Sequence, residues 1–311
     1  MVEVVRYSAG YRAEWDAFVR TSKNGTFMLL RDYMEYHADR FADHSLLFYS
    51  GGELVAVLPA NTDGDALHSH AGLSYAGMIS GNSMKAALML QVFEALTTYC
   101  RAQGFTSLHY KAIPHIYHQL PAEEDLYALF RKEAVLYQRT LNSVVALENK
   151  LPYSTLRKRK VRKASQLGLE VRESQEFAVY MQLVEQVLAE KYQLKPAHTA
   201  EELMRLAATF PGNIKLYAVY EDGAMVAGMV MYESELVAHS QYIGSSARGR
   251  EIAALDLVID HLLTQVYPHK KYFSFGVSTE QQGLYLNEGL VNNKESYGAR
   301  TVVHDFYRMR L

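Results

Sequence analysis

Gly51-Gly52-Glu53-Leu54-Val55-Ala56-Val57-Leu58 and Asp222-Gly223-Ala224-Met225-Val226-Ala227-Gly228-Met229 decide the fold once they are laid side by side. Each begins with a glycine turn. Apolar runs flank the two turns, 45–49 with 54–60 and 214–220 with 225–232, which is the pattern of a β-hairpin. Gly52 with Val55-Ala56 matches Gly223 with Val226-Ala227, and at the same offset His68-Ser69 matches His239-Ser240. Third strands are predicted at 75–79 and 237–243. Long helices follow at 85–101 and 251–266, opening near Ala86-Ala87-Leu88 and Ala253-Ala254-Leu255, and each leads to a strand, 106–111 or 271–277. Order, turns and helices recur together, so the chain reads as an internal repeat.

A chain of 311 residues, 49% apolar and 21% charged, exceeds what one hydrophobic core usually carries. The reading is therefore two α/β halves, 1–150 and 151–311, joined near 141–152. Antiparallel strands followed by a helix crossing to a parallel strand give a mixed sheet with helices on both faces. That layout resembles the GNAT acyltransferase fold, twice over. A net charge of −2 gives no whole-molecule field for nucleic acid. The single Cys100 excludes an internal disulfide and a cysteine zinc site. MVEVVRYSAG lacks signal-peptide regions, and no apolar run reaches the roughly 18 residues of a membrane span. These features predict a soluble cytoplasmic protein without a membrane span.

Arg248-Gly249-Arg250-Glu251-Ile252-Ala253 lies before the second long helix. Its place resembles the GNAT loop Arg/Gln-x-x-Gly-x-Gly/Ala, which holds the pyrophosphate of coenzyme A; amide groups and the dipole at a helix start favour an anion. Arg248, Gly249, Arg250, Ile252 and Ala253 are the cofactor-site candidates. Glu251 replaces the usual glycine, and reads either as an obstacle to phosphate or as a favourable first-turn acid. The first half, with Gly81-Asn82-Ser83-Met84-Lys85 there, has no such match and reads as a degenerate site. Residues 156–163, LRKRKVRK, are the one basic run: a solvated helix, or a collector of phosphates from a nucleotide-linked acceptor or a tRNA backbone.

RKRKVRKASQLGLEV, from Arg157, resembles the start of the second domain in the FemAB family. So do Phe275-Gly276-Val277-Ser278-Thr279-Glu280, Gly283-Leu284-Tyr285 and Lys294-Glu295-Ser296-Tyr297-Gly298. FemAB proteins pair two GNAT-like halves and transfer aminoacyl groups from tRNA to peptidoglycan precursors; the related BioF2-like acyltransferases are taken to use thioesters. The resemblance implies a catalytic role for Lys294, although Asn293 stands where the family has an aromatic residue. Acyl transfer to an amine needs a proton acceptor, oxyanion donors and relief of charge on the leaving group. Lys294 or a main-chain amide beside Tyr242 is the oxyanion candidate, Tyr285 or Tyr297 the acid, and Glu280 or His239 the base. His70, Tyr75, Gln241, Tyr242 and Tyr297 are expected to line the substrate site.

His68-x-His70 and His115-x-x-His118 lack acidic or cysteine partners and read as partly exposed loop histidines, so no metal is expected. Gly72-Leu73-Ser74-Tyr75-Ala76-Gly77 has the wrong spacing for a nucleophile elbow. No Walker A or dinucleotide fingerprint occurs. The resemblance therefore implies an acyltransferase that uses acetyl-CoA or another acyl-CoA and acts on an amine of a nucleotide- or lipid-linked envelope precursor, such as an amino sugar. An aminoacyl-tRNA-dependent transferase and a catalytically silent double-GNAT scaffold are the alternatives.

Overall fold

The computed structural model describes residues 1–192 and 195–311. Contacts divide them into two compact units. The first holds Met1–Leu141, Glu280–Tyr285 and Val303–Leu311; the second holds Asn142–Thr279 and Leu286–Val302. This division differs from a single cut at 150, because two later segments return to the first unit.

In the first unit β1 (Val2–Arg6) leads through α1 (Arg12–Thr21) and the short α2 (Arg31–Met34) to a hairpin of β2 (Leu46–Ser50) and β3 (Glu53–Leu58). α2 is a single turn and is followed by a 3-10 turn, Glu35–His37. Then come β4 (Asn61–Asp63), β5 (Ala66–His68), β6 (Ile79–Ser80), α3 (Ala86–Ala102), β7 (Ser107–Lys111) and α4 (Glu124–Arg131). β1, β2, β3 and β6 form one antiparallel sheet, and β4, β5 and β7 another group. Leu46, Phe48, Val92, Phe93, Leu96 and Leu108 are the centre of this unit's core.

β8 (Val135–Ala146) carries the chain into the second unit, followed by α5 (Thr155–Ser165), β9 (Val171–Ser174), α6 (Phe177–Tyr192), α7 (Ala200–Thr209), β10 (Ile214–Glu221), β11 (Ala224–Glu233) and β12 (Val237–Ser245). Next are α8 (Ala247–Glu251), α9 (Ala254–His261), β13 (Tyr272–Val277), β14 (Thr279–Glu280), β15 (Tyr285–Leu286), α10 (Glu288–Glu295) and β16 (Arg300–Arg310). The second unit's strands lie in the order β8-β13-β12-β11-β10-β9. Ala227, Met229, Val258, Leu262 and Phe273 pack between this sheet and α9. The last strand serves the first unit: from Phe306 to Arg310 it pairs antiparallel with β7.

The repeat holds to the level of backbone register. The turn glycines Gly52 and Gly223 sit at φ 83° and 82°, a conformation costly for other residues. A register shift falls between Phe48 and Tyr49 in one hairpin and between Val219 and Tyr220 in the other, at equivalent places. β5 and β7 form a three-pair parallel ladder ending at His68↔His109, as β12 and β13 do at His239↔Ser274. Where β11 runs unbroken, its counterpart is split into β3 and β4 at Pro59, which has no N–H for the ladder. After His68 the chain leaves the sheet, and the strand expected at 75–79 shrinks to Ile79–Ser80.

Candidate active site

In the second unit the parallel ladder of β12 and β13 ends at His239↔Ser274. Beyond it β12 carries a bulge, the register with β11 shifting between Val230 and Met231 so that Gln241 is the extra residue. β13 turns irregular between Ser274 and Val277, with Gly276 at φ 73°. The two strands part there.

The helix expected over 251–266 opens at Ala254, as α9, and passes into a π-type turn at Leu262–Val266, with the short α8 standing before it. Ala253 separates the first two in the left-handed region at φ 59°. A cavity of about 380 Å³ opens at this break, walled by Ile243 and Ser245 of β12, Ala253 and Leu255, and apolar residues of α6 such as Val184 and Leu188. Lys160, Arg250 and the first turn of α9 supply positive charge to it.

The loop candidates divide. Arg250 lines the cavity, its guanidinium donating to Ser245 O at 2.9 Å. Gly249 also lies in the wall, where its lack of a side chain answers a packing need: a Cβ would stand 2.1 Å from Val226 O. Arg248 is turned elsewhere, because Glu221 holds it through two hydrogen bonds of 2.7 Å and Glu251 sits 3.1 Å away. Ile252 is a core residue. For these two the structure corrects the expectation of a cofactor contact. Glu251 is exposed and engaged with Arg248, so its carboxylate is an outer ion-pair partner.

Lys294 is buried. Its ammonium donates to Gly276 O at 2.9 Å, Val277 O at 2.7 Å and Ser278 Oγ at 2.9 Å, using all three protons to fix the irregular end of β13. Burial without a carboxylate partner pulls its pKa down to about 7. His239 shares a hydrogen bond of 3.1 Å between Nδ1 and Ser274 Oγ, and burial followed by the nearby Lys294 charge lowers its pKa to about 4. It is a neutral imidazole at physiological pH. Tyr242, half-buried on β12, bonds through its hydroxyl to His198 N at 3.0 Å and His198 Nδ1 at 2.7 Å.

Sequence reasoning missed the network beneath the cavity. Arg157, the first cation of the basic run, is buried and donates to Asp256 Oδ1 at 2.7 Å and to Ser296 Oγ at 2.6 Å. Tyr297 donates to the same Asp256 oxygen at 2.9 Å, and the Arg157 guanidinium lies 4.6 Å from its ring centre. Burial and the Asp256 charge hold the Tyr297 proton tightly, so this phenol is a poor acid at neutral pH. Asp256, in Ala254-Leu255-Asp256-Leu257-Val258, was the available signal: a carboxylate among apolar helix positions needs a partner.

Glu280 and Tyr285 lie on β14 and β15, exposed, and belong by contact to the first unit. His70 and Tyr75 are also in the first unit, where the structure replaces the expected substrate contacts with core packing. The His70 ring lies 5.1 Å from His37 and 5.5 Å from Phe41, and burial with the adjacent His37 lowers its pKa to about 3. Tyr75 donates to Thr26 Oγ1 at 3.2 Å and packs 4.5 Å from Tyr117. Among the described residues no group of three or more His, Cys, Asp or Glu is placed to hold a metal ion.

Residues 155–281 match the model of the acetyltransferase (GNAT) domain family. The whole chain has the fold of FemX, at TM-score 0.69 and 12% identity over 97% of this chain and 96% of the other. The C-terminal domain of a putative lysylphosphatidylglycerol synthetase from Agrobacterium fabrum is similar at TM-score 0.64 and 12% identity, over 97% and 92%. A tandem GNAT protein from the clavulanic acid biosynthesis pathway follows at TM-score 0.51 and 13% identity, over 100% and 98%. A comparison with curated protein sequences finds no match. The chain therefore has the fold of a tandem GNAT protein, and its second unit carries the match to the acetyltransferase (GNAT) domain family.

Proposed function

We propose that the protein transfers an acyl group from an acyl-CoA thioester, bound in the second unit, to an amine of a cell-envelope precursor such as an amino sugar. The observation that carries this reading is the cavity at the left-handed break before α9, where Arg250, Lys160 and a helix N-terminus face the same space. These groups suit the phosphates of coenzyme A, and Arg157 neutralises Asp256, the one carboxylate in the wall among the described residues. The apolar residues of α6 suit the pantetheine arm. That FemX and lysylphosphatidylglycerol synthetase share the fold supports an envelope acceptor.

In the reaction the neutral amine nitrogen bonds to the thioester carbonyl carbon, the tetrahedral intermediate so formed loses its N–H proton, and the carbon–sulfur bond then breaks to release the CoA thiolate, which takes a proton from water. That proton is far more acidic than in the free ammonium, so a neutral, weakly basic His239 suffices as acceptor. Lys294 holds the parted end of β13 and so the main-chain donors beside it. Thermal unfolding with acetyl-CoA, longer acyl-CoAs and free CoA tests the reading. Ligand at 100 times its Kd adds about 2.7 kcal/mol of stability, a visible rise in Tm. Absence of a saturable rise with every thioester would overturn the donor assignment.

A further inference from the structure

The sheet β1-β2-β3-β6 has two outer edges, and the fold closes one of them. Along β6 Lys23 N donates to Ser80 O at 2.9 Å. The buried Asn24 side chain accepts from Ser80 N at 3.0 Å and donates to Met78 O at 2.9 Å. Along β1 nothing comparable stands among the described residues, and the strand pairs with β2 alone. Tyr7 N donates to Ser45 O at 2.8 Å, so by the alternation of an antiparallel ladder Val5 and Glu3 also turn their main-chain groups toward β2. Val2, Val4 and Arg6 therefore point their N–H and C=O groups outward. The strand has neither a proline nor a bulge to blunt this edge. Beside it a groove of about 650 Å³ lies open between β1 and α3, walled by Val2, Val4, Ala95 and Tyr99, with Met1 fully exposed at its rim.

An edge with free main-chain groups beside an apolar groove is built to take an added strand. We propose that this strand is β1 of a second copy of the chain, paired antiparallel about a two-fold axis through Val4. The choice of occupant rests on the edge being complementary to itself. With Val4 on the axis, Val4 opposes Val4 of the second copy and Val2 opposes its Arg6, so every outward N–H meets an outward C=O. Glu3 then opposes Val5, and no like charges face one another. Sliding the pairing by two residues either way leaves outward groups unmatched, and one of those shifts sets Glu3 against Glu3. Val2 and Val4 lie on the groove side of the sheet, so each copy brings its valines over the open groove at the shared edge, the same patch serving both partners. The proposal concerns assembly through the first unit and is independent of the transfer chemistry.

Analytical ultracentrifugation of the full chain over a wide range of concentration tests it. The expected species has twice the chain mass of 35.3 kDa and dissociates on dilution. Val4→Pro removes an outward N–H only, so the monomer should keep its fold by circular dichroism while association weakens at least about tenfold, two hydrogen bonds at the axis being lost. Val5→Pro, which takes a bond from the β1–β2 ladder, should instead lower Tm. The axis allows a sharper test. Val4→Lys and Val4→Glu each set a charge against its own copy and should be monomeric alone, whereas an equimolar mixture of the two should dimerise again. Should a charge at this position unfold the chain, Val4→Pro decides. A dimer indifferent to Val4→Pro, or folded Lys and Glu variants that fail to associate when mixed, would overturn the proposal. So would a wild-type chain that stays monomeric throughout, and the edge would then await a strand from a different protein.

Discussion

Arg157 and Asp256 lie 2.7 Å apart with both side chains 8% exposed, joining α5 to the first turn of α9 beneath the cavity at the left-handed break. Removing one partner leaves a buried charge unmatched. Arg157→Met or Asp256→Leu should each cost about 3–5 kcal/mol of stability, and the double variant much less than their sum. Urea unfolding of the four proteins checks this, and additive losses would refute the coupling.

Lys294 supplies a prediction on the alkaline side. Its folded pKa of about 7 lies below the ordinary lysine value of 10.5, so the folded chain binds fewer protons between those limits. Stability attributable to this group therefore rises from pH 7 to pH 10.5 and is lost as pH falls through 7. In Lys294→Met, which removes the titration, the difference from wild type should shrink toward low pH and widen above pH 8. Unfolding free energies at several pH values decide it. The same variant loses the clamp on β13, so kcat should fall more than donor KM rises.

On the acid side His239, lowered to about 4, and His70, lowered to about 3, act together. Both are neutral when folded and charge more readily when unfolded, so stability declines as pH drops from 6.5 toward 3. His70→Phe should flatten part of that decline. An unchanged acid profile would show that His70 gains solvent before it titrates.

Gly249→Ala places a Cβ 2.1 Å from Val226 O, which belongs to the backbone of β11 and cannot swing aside. The loop before α9 must move, and the Tm rise with acetyl-CoA should drop sharply even where the fold survives. A full response in the alanine variant would separate this loop from donor binding.

Asn142 is buried opposite Val277, with neither amide atom hydrogen-bonded among the described residues. An unsatisfied buried amide costs about 1–3 kcal/mol, so Asn142→Leu should leave stability equal or higher. A substantial loss in denaturant midpoint would point to a water bound in that space.

How much of this was legible depended on the range of the interaction. The hairpins of β2–β3 and β10–β11 were readable because Gly52 and Gly223 act through their own φ angles and the alternation beside them is local. The left-handed Ala253 carries no local signal, since alanine favours continuing a helix, and so the helix was expected to open at Glu251 and not at Ala254. Of the two loop arginines Arg248 is drawn away from the cavity because Glu221, the partner that captures it, lies at the end of β10. Arg157 read as one cation among six until Asp256 was seen beneath it. His70 and Tyr75 stand in a loop that turns into the first unit's core, and polar character alone gives no warning of that.

The placement of Val303–Leu311 beside β7, with Met309 inside the first core, has a consequence in time. A ribosome releases the chain from its N-terminus, and domains usually close in that order. Here the half that emerges first lacks one strand until Val303–Leu311 have emerged, after the second unit has been made. Closure of the first core is thereby coupled to synthesis of the second unit: a chain cut before Val303 leaves the strand position along β7 open.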